Sequence, residues 1–158
     1  MQTFLPYPDF RRSAEVLDYK RLGKQRVECY QILNTLLGNS TGWQNHPAVK
    51  MWREYEMSLS AYGIIVCREW IKRKYRDNLL GKFEKIYDDE LRKSQPNHSY
   101  YESRFIQNNL GIYSNYPIWF GNEQFHDSHK SNPLRKDYEF YSAYGWDVPD
   151  NLPYYWPV

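Results

Sequence analysis

Two of the polar clusters in this chain that could do chemistry lie before residue 50. In the first, Lys24 and Glu28 stand one turn apart on a stretch, residues 18–37, that reads as one long helix. The second is Asn45-His46-Pro47, which places a histidine at the start of a helix. Free backbone N–H groups at that position attract anions and favour a neutral imidazole.

The third cluster lies near the C-terminus. His126 and His129 are three residues apart, so they share a helix face, with Asn132 close to that face and Arg135 and Lys136 directly after it. Two such histidines can act as acid and base or hold a phosphate, or they can be hydrogen-bonded structural residues. A zinc ion would need a further ligand from another cluster, and no metal is predicted.

The first long helix separates an apolar side from a charged side. Asp18 can cap its start, and Gly38 can end it. At about 100° per residue, one arc collects Tyr19, Leu22, Cys29, Tyr30, Leu33, Leu36 and Leu37, and the other collects Lys20, Arg21, Lys24, Gln25, Glu28 and Gln31. The charged arc is either a solvated face or a face that meets a ligand. Arg26 falls inside the apolar arc, where it must reach solvent, pair with a carboxylate or bind an anionic ligand.

The composition predicts one domain with a core and gives no strong electrostatic signal. The 158 residues carry a formal charge of +2, and 16 Tyr, 6 Trp and 7 Phe make up 18% of them. Such aromatics can pack in a core or stack on bases. Two cysteines, Cys29 and Cys67, indicate neither a disulfide framework nor a four-ligand zinc site. No signal peptide or membrane-spanning run is evident, so a cytoplasmic protein with no membrane contact and no cofactor is expected.

The elements that must position these residues are predicted to be helices. We expect a mainly α, compact single-domain helical bundle over residues 1–158, with extended N- and C-terminal straps. Prolines keep residues 1–12 extended, and Ser13 offers an N-cap for a short turn from Ala14 to Leu17. Apolar residues at steps of three and four predict the next helix from Pro47 to about Tyr75.

The second half of the chain has a weaker pattern. A third helix is predicted from Leu79 to Leu91, and residues 98–116 are expected to form a short helix and a loop over a cleft. Asn122 can cap a short helix that carries the two histidines, and Pro133 is expected to interrupt it. A last helical turn is predicted to end near Tyr144.

With these residues in view, the sequence resembles a family of small bacterial and phage proteins described as pyrimidine-dimer DNA glycosylases, or endonuclease V-like proteins. The resemblance extends from end to end of the chain. Its matching pieces are residues 2–10, 17–18, 21–28, 42–43 and 45–52, the arrangement around Phe125-His126, Ser128-His129, Asn132 and residues 134–137, and the ending at residues 152–154 and 156–158.

The resemblance implies a compact α-helical enzyme. In characterised members an N-terminal amine attacks C1′ of a damaged nucleotide and forms an imine, while a helix carboxylate assists base loss and strand cleavage. Residue 2 is Gln, so Met1 is expected to be retained, and the amine would be that of Met1 or Lys24. Arg21 stands where the family carboxylate usually precedes a leucine, so Glu28 is the nearest replacement.

Two classes of function are predicted. The first is a DNA glycosylase, with or without AP-lyase activity, on a damaged or modified pyrimidine. Its candidate catalytic residues are Glu28, His46, His126, His129 and Lys24, and its candidate phosphate- or nucleotide-binding residues are Arg21, Gln25, Arg26, Trp43, Asn45, Asn132, Arg135 and Lys136. The second is a protein that binds a free or cyclic nucleotide as a sensor or sequestering protein. Hydrolysis of the N-glycosidic bond of a free nucleoside is a third possibility.

Overall fold

The computed structural model describes residues 1–97 and 116–158, and it confirms the predicted mainly α fold. The helices are α1 (Phe10–Glu15), α2 (Tyr19–Leu36), α3 (Pro47–Lys50), α4 (Glu56–Lys72), α5 (Leu80–Ser94), α6 (Glu123–Lys136) and α7 (Tyr138–Tyr141), with a 3-10 turn at Ser142–Tyr144. The described residues contain no β-strand. None of these helices has the length and apolar character needed to cross a membrane. Apart from residue 116, the predicted short helix and loop of residues 98–116 lie outside the described residues.

Helix α2 begins and ends where the sequence predicts. The Asp18 carboxylate accepts hydrogen bonds from the backbone N–H groups of Lys20 and Arg21, at 3.0 and 3.2 Å. Gly38 follows the helix with a φ of 78°, a left-handed conformation that glycine adopts without strain. Both ends of α2 are therefore set by local sequence.

The two faces of α2 differ from the prediction. Gln25 and Glu28 belong to the charged arc, yet both are buried, and Tyr19 of the apolar arc is exposed. The N-terminal residues of the chain lie along the Gln25 side of the helix and cover it. The alternative of a wholly solvated charged face is therefore wrong.

Arg26 adopts one of the three predicted alternatives, the ion pair with a carboxylate. Its Nη2 lies 2.6 Å from Oδ1 of Asp77, and its Nε donates to the same oxygen at 2.8 Å. The guanidinium carbon also lies 4.9 Å from the ring centroid of Trp70. The guanidinium is buried and engaged in this way, which favours a structural role for Arg26, and its role in binding a phosphate or nucleotide stays a prediction.

Helix α1 starts earlier than predicted. Asp9 caps it by accepting a hydrogen bond from the backbone N–H of Arg12 at 2.8 Å. Ser13 lies inside the helix and exchanges hydrogen bonds with the backbone N–H and carbonyl of Tyr7. The predicted N-cap at Ser13 is wrong because Asp9 offers the better placed carboxylate.

The predicted continuous helix from Pro47 to Tyr75 is also wrong. Pro47 does occupy the first turn of α3, but α3 is a single turn, and Glu54 adopts a φ of 71° before α4 begins. The break lets the fully buried Trp52 donate its indole N–H to Thr3 Oγ1 at 2.9 Å. A tertiary contact with the N-terminal segment thus accompanies an interruption that periodicity alone does not predict.

The predicted third helix is confirmed as α5, which packs against α4. A Cβ on Gly63 would lie 2.4 Å from ring atoms of Phe83, so glycine is needed for this close approach. Phe83 and Tyr30 of α2 meet edge to face with centroids 5.9 Å apart. These contacts join α2, α4 and α5 into one core.

Helix α6 is longer than predicted because Pro133 does not interrupt it. Asn122 caps its start by accepting from the backbone N–H of Phe125 at 3.0 Å, as expected. The helix continues past Pro133, whose carbonyl accepts from the backbone N–H of Asp137 at 2.9 Å. A last helical turn near Tyr144 and an extended C-terminal strap follow, as predicted.

Candidate active site

The first five residues form an N-terminal strap that is held by side chains from the helices. Gln25 of α2 donates its Nε2–H to the carbonyl of Gln2 at 2.8 Å and accepts from the backbone N–H of Phe4. Tyr62 of α4 donates its hydroxyl to the carbonyl of Phe4 at 2.6 Å. Gln25 therefore positions the strap, and its role as a phosphate or nucleotide ligand stays a prediction.

Both histidines of α6 hold the next part of this strap. His129 Nδ1 accepts from the backbone N–H of Leu5 at 3.0 Å. His126 Nε2 accepts from the backbone N–H of Gly121 at 2.9 Å, so its Nδ1 carries the proton and donates to the Leu5 carbonyl at 2.7 Å. Burial lowers the pKa of His129 to about 3 and also lowers the pKa of His126. These hydrogen bonds support the structural alternative for this pair, and the catalytic roles of the two histidines stay untested predictions.

The strap brings the N-terminal amine to Glu28. The Met1 nitrogen lies 3.7 Å from Glu28 Oε1, and Lys24 Nζ lies 3.6 Å from the same oxygen. The Glu28 side chain is 7% exposed, whereas that of Lys24 is 69% exposed. An amine beside a carboxylate can attack an electrophilic carbon while the carboxylate stabilises positive charge or accepts a proton.

A pocket of about 340 Å³ opens over this pair. It is lined by Met1, Gln2, Phe4, Lys20, Arg21, Lys24, Glu28, Lys136 and Tyr154. Burial lowers the pKa of Lys136, and the nearby Arg21 and Lys24 lower it further. Arg21 is fixed by Asp18, with Nη1 and Oδ2 2.7 Å apart. Cations clustered in this way can attract an anion, and the phosphate-binding roles of Arg21 and Lys136 stay predictions.

His46 lies near the amine–carboxylate pair without lining the pocket, and Trp43 contacts His46. His46 Nδ1 accepts from the backbone N–H of Ala48 at 3.0 Å and caps α3, so the neutral ring carries its proton on Nε2. Burial lowers the pKa of His46, the N-terminal ammonium lowers it further, and Glu28 raises it, so the ring lies within electrostatic range of the amine–carboxylate pair. Trp43 is 64% exposed and has a φ of 63°, and its ring meets His46 edge to face at 5.7 Å. A bulky residue held in this strained conformation is typical of functional sites.

Three of the predicted nucleotide-binding residues lie away from the pocket. Asn45 lines a separate hollow of about 320 Å³. Asn132 is buried in α6. Arg135 donates to the carbonyls of Asp150 and Leu152, at 3.5 and 3.3 Å, and so ties down the C-terminal strap. None of the three lines the pocket, and their roles in phosphate or nucleotide binding stay predictions.

The structure adds residues that the sequence did not single out. Lys20 and Tyr154 line the pocket, and burial raises the pKa of Tyr154 to about 12. Lys20 could have been found, because it stands next to Arg21 on the charged arc. Tyr154 comes from the C-terminal strap, and only the resemblance of that ending pointed to it. Within the two described ranges, no group of three or more His, Cys, Asp or Glu side chains is arranged to hold a metal ion.

These features define a helical protein with an amine–carboxylate pair in a cationic pocket. A family model described as pyrimidine dimer DNA glycosylase matches residues 1–82, which include the strap, α2 and this pair. The match covers more than half of the 158 residues, so the chain belongs to this family, and the resemblance is confirmed. Membership supports a DNA glycosylase-type function in DNA repair. No curated protein and no solved structure matches the chain.

Proposed function

We propose that this protein is a DNA glycosylase with AP-lyase activity that acts on a damaged or modified pyrimidine. The observation that carries the proposal is the Met1 amine, 3.7 Å from Glu28 Oε1, in a pocket lined by Lys20, Arg21, Lys24 and Lys136. DNA phosphates are anions that such a pocket attracts. Family membership favours DNA over other phosphate ligands.

The proposed reaction begins when the neutral amine attacks C1′ of the damaged nucleotide. A C1′–N bond forms, the glycosidic bond breaks, and the base leaves with the bonding electron pair and gains a proton. The sugar ring then opens: the amine nitrogen forms the imine with C1′, the C1′–O4′ bond breaks, and O4′ gains a proton. Glu28 stabilises the positive charge that develops at the sugar and accepts the proton that the amine loses. Loss of a C2′ proton then expels the 3′ phosphate and cleaves the strand.

Met1 is the better candidate for the nucleophile than Lys24. The two nitrogens lie at similar distances from Glu28 Oε1, 3.7 and 3.6 Å, but the Lys24 side chain is largely exposed. The strap fixes the position of Met1, which favours a productive orientation.

The nucleophile can be tested by borohydride trapping on a duplex that contains an abasic site. We expect a covalent protein–DNA adduct, because borohydride reduces the imine to a stable amine. Peptide mass spectrometry of the reduced adduct should locate the added mass on the peptide that begins with Met1. A Gly-Ser extension before Met1 should abolish the adduct, since it moves the amine away from Glu28.

Lys24→Ala is the matched control for the trapping experiment, because it removes the other amine near the same carboxylate. This variant should still form the adduct, although it should bind DNA more weakly than the wild type does. In the wild type, an adduct located on Lys24 would assign the nucleophile to that residue. The nucleotide-binding alternative replaces this proposal if three results occur together. No adduct forms, no base is released from any of several damaged duplexes, and a mononucleotide binds tightly at high salt. Release of base from free nucleosides would favour nucleoside hydrolysis.

Trp43 is proposed to stack on the extruded base. Its exposed ring offers a flat surface and contacts His46, which lies near the amine–carboxylate pair. Trp43→Ala should slow base release from a pyrimidine-dimer duplex by about tenfold. It should leave borohydride trapping on a preformed abasic site nearly unchanged, because no base has to be moved there. Equal losses on both substrates would contradict this role.

A further inference from the structure

We infer that an aromatic stack beside the pocket, in which Trp70 supports the exposed rings of Tyr19 and Tyr75, binds unpaired bases of the DNA strand that leaves the pocket. This inference rests on the proposed action on DNA, and it assigns a second contact surface to the same strand. We call these three residues the aromatic ladder.

The chain builds the aromatic ladder by two local devices. Gly23 of α2 has no Cβ, and a Cβ there would lie 2.9 Å from the outer edge of the Trp70 ring, so glycine allows this ring to approach α2 closely. After α4 ends, Lys74 adopts a φ of 71° and turns the chain back, and Tyr75 stacks on Trp70 with centroids 4.1 Å apart and planes at 24°. The Trp70 indole N–H donates to the carbonyl of Arg76 at 2.8 Å and holds this turn.

Tyr19 extends the aromatic ladder toward solvent. Its ring is nearly parallel to that of Tyr75, with planes at 26° and centroids 6.5 Å apart. Tyr19 is 53% exposed and Tyr75 is 40% exposed, which is unusual for two large neighbouring rings in one patch. Exposed rings with nearly parallel planes offer faces on which bases of any sequence can stack.

Charge connects the aromatic ladder to the pocket. Lys20 lines the pocket, and its Nζ also lies 5.8 Å from the centroid of the Tyr19 ring. Lys74 and Arg76 flank Tyr75, are exposed and form no ion pair within residues 1–97 and 116–158. A strand whose phosphate is held by Lys20 would therefore meet open rings and further cations on this side.

The combination of stacked rings with unpaired cations favours a nucleic-acid strand over an apolar protein partner. Single-stranded nucleic acids are bound by aromatic rings that stack on bases and by cations that follow the phosphates. A protein partner that covered only the apolar rings would leave Lys74 and Arg76 without a role. Continuity with the DNA-binding pocket through Lys20 indicates the strand that carries the lesion.

The test measures how affinity depends on strand length. Single strands of about three and about fifteen nucleotides, each with a central tetrahydrofuran abasic analogue, are bound to the wild-type protein and to Tyr19→Ala. We expect Tyr19→Ala to weaken binding of the longer strand about tenfold and to leave the shorter strand unaffected. Tyr19→Phe and Tyr19→Trp should retain wild-type affinity, because stacking needs the ring and not the hydroxyl.

The salt dependence supplies a second readout. Lys74→Ala should reduce the slope of log K against log salt for the longer strand by about 0.7, since one phosphate contact is lost. Lys85→Ala is the matched control, because Lys85 is exposed on α5 and pairs with Asp89 at 2.7 Å. Its slope should equal that of the wild type.

Three results would each overturn the role of the aromatic ladder. Tyr19→Ala could weaken binding of both strands equally, Tyr19→Phe could lose as much affinity as Tyr19→Ala, or Tyr19→Ala could keep the wild-type affinity.

Borohydride trapping on a short strand with a natural abasic site separates this result from the proposed function. Tyr19→Ala should form as much adduct there as the wild type. Absence of an adduct in the wild type would count against the imine chemistry, and the length dependence of binding would still decide the role of the ladder.

Discussion

Glu28→Gln is expected to slow base release from a pyrimidine-dimer duplex by about 10²- to 10⁴-fold, the usual contribution of a positioned acid–base group. Glutamine keeps the shape of the side chain but can neither carry a negative charge nor accept the proton. The carboxylate lies 3.7 Å from the Met1 amine and 3.6 Å from Lys24 Nζ, so its charge acts where the sugar becomes positive. Single-turnover measurement of base release checks this expectation.

The same variant should separate the two chemical steps. On a preformed abasic site no base has to leave, so Glu28→Gln should reduce borohydride trapping much less than it reduces base release. Glu123→Gln is the matched control, because Glu123 lies exposed in the first turn of α6 and does not line the pocket. If Glu28→Gln released base as fast as the control, the carboxylate would have no part in the reaction.

The carboxylate and its helix were predictable because the signals are local. Asp18 before α2 and Gly38 after it are short-range caps, and the structure has both. Burial of Glu28 was not predictable in the same way. It depends on the strap, which is bound by Gln25 from a position more than twenty residues along the chain.

Long-range contacts also explain why the surroundings of the two histidines could not be predicted from the sequence. A pair spaced by three residues looks the same whether it faces a ligand or a backbone. His126 and His129 contact Leu5, more than 120 residues earlier in the chain, and this contact holds both rings against the strap. The break between α3 and α4, where Trp52 bonds Thr3, has the same origin. Contacts with the strap thus explain why the break between α3 and α4 was not predicted, and they also determine the position of the Met1 amine.

Lowering the pH from about 7.5 to about 5 is expected to reduce the free energy of unfolding by about 2 kcal/mol through His129. The imidazole of an unfolded chain has a pKa of about 6.5, whereas burial lowers the pKa of His129 in the fold to about 3. Below about pH 6.5 the unfolded state therefore binds a proton that the native state does not. The free energy of unfolding falls by about 1.4 kcal/mol for each further pH unit, until the native ring titrates. Urea unfolding at several pH values measures this slope.

His129→Asn is the control that isolates this residue, because an asparagine oxygen can accept from the Leu5 N–H in place of Nδ1 and does not titrate. The variant should be less stable at pH 7.5, since it loses the ring that packs against Phe125 with centroids 4.1 Å apart. Its stability should nevertheless fall less steeply below about pH 6.5. Other titrating groups, including His126, are present in both proteins, so the difference in slope reports His129. Parallel slopes would mean that the ring is not held neutral against the strap, and His129 would no longer count among the side chains that hold the strap beside Glu28, with Gln25 and Tyr62 left to do so.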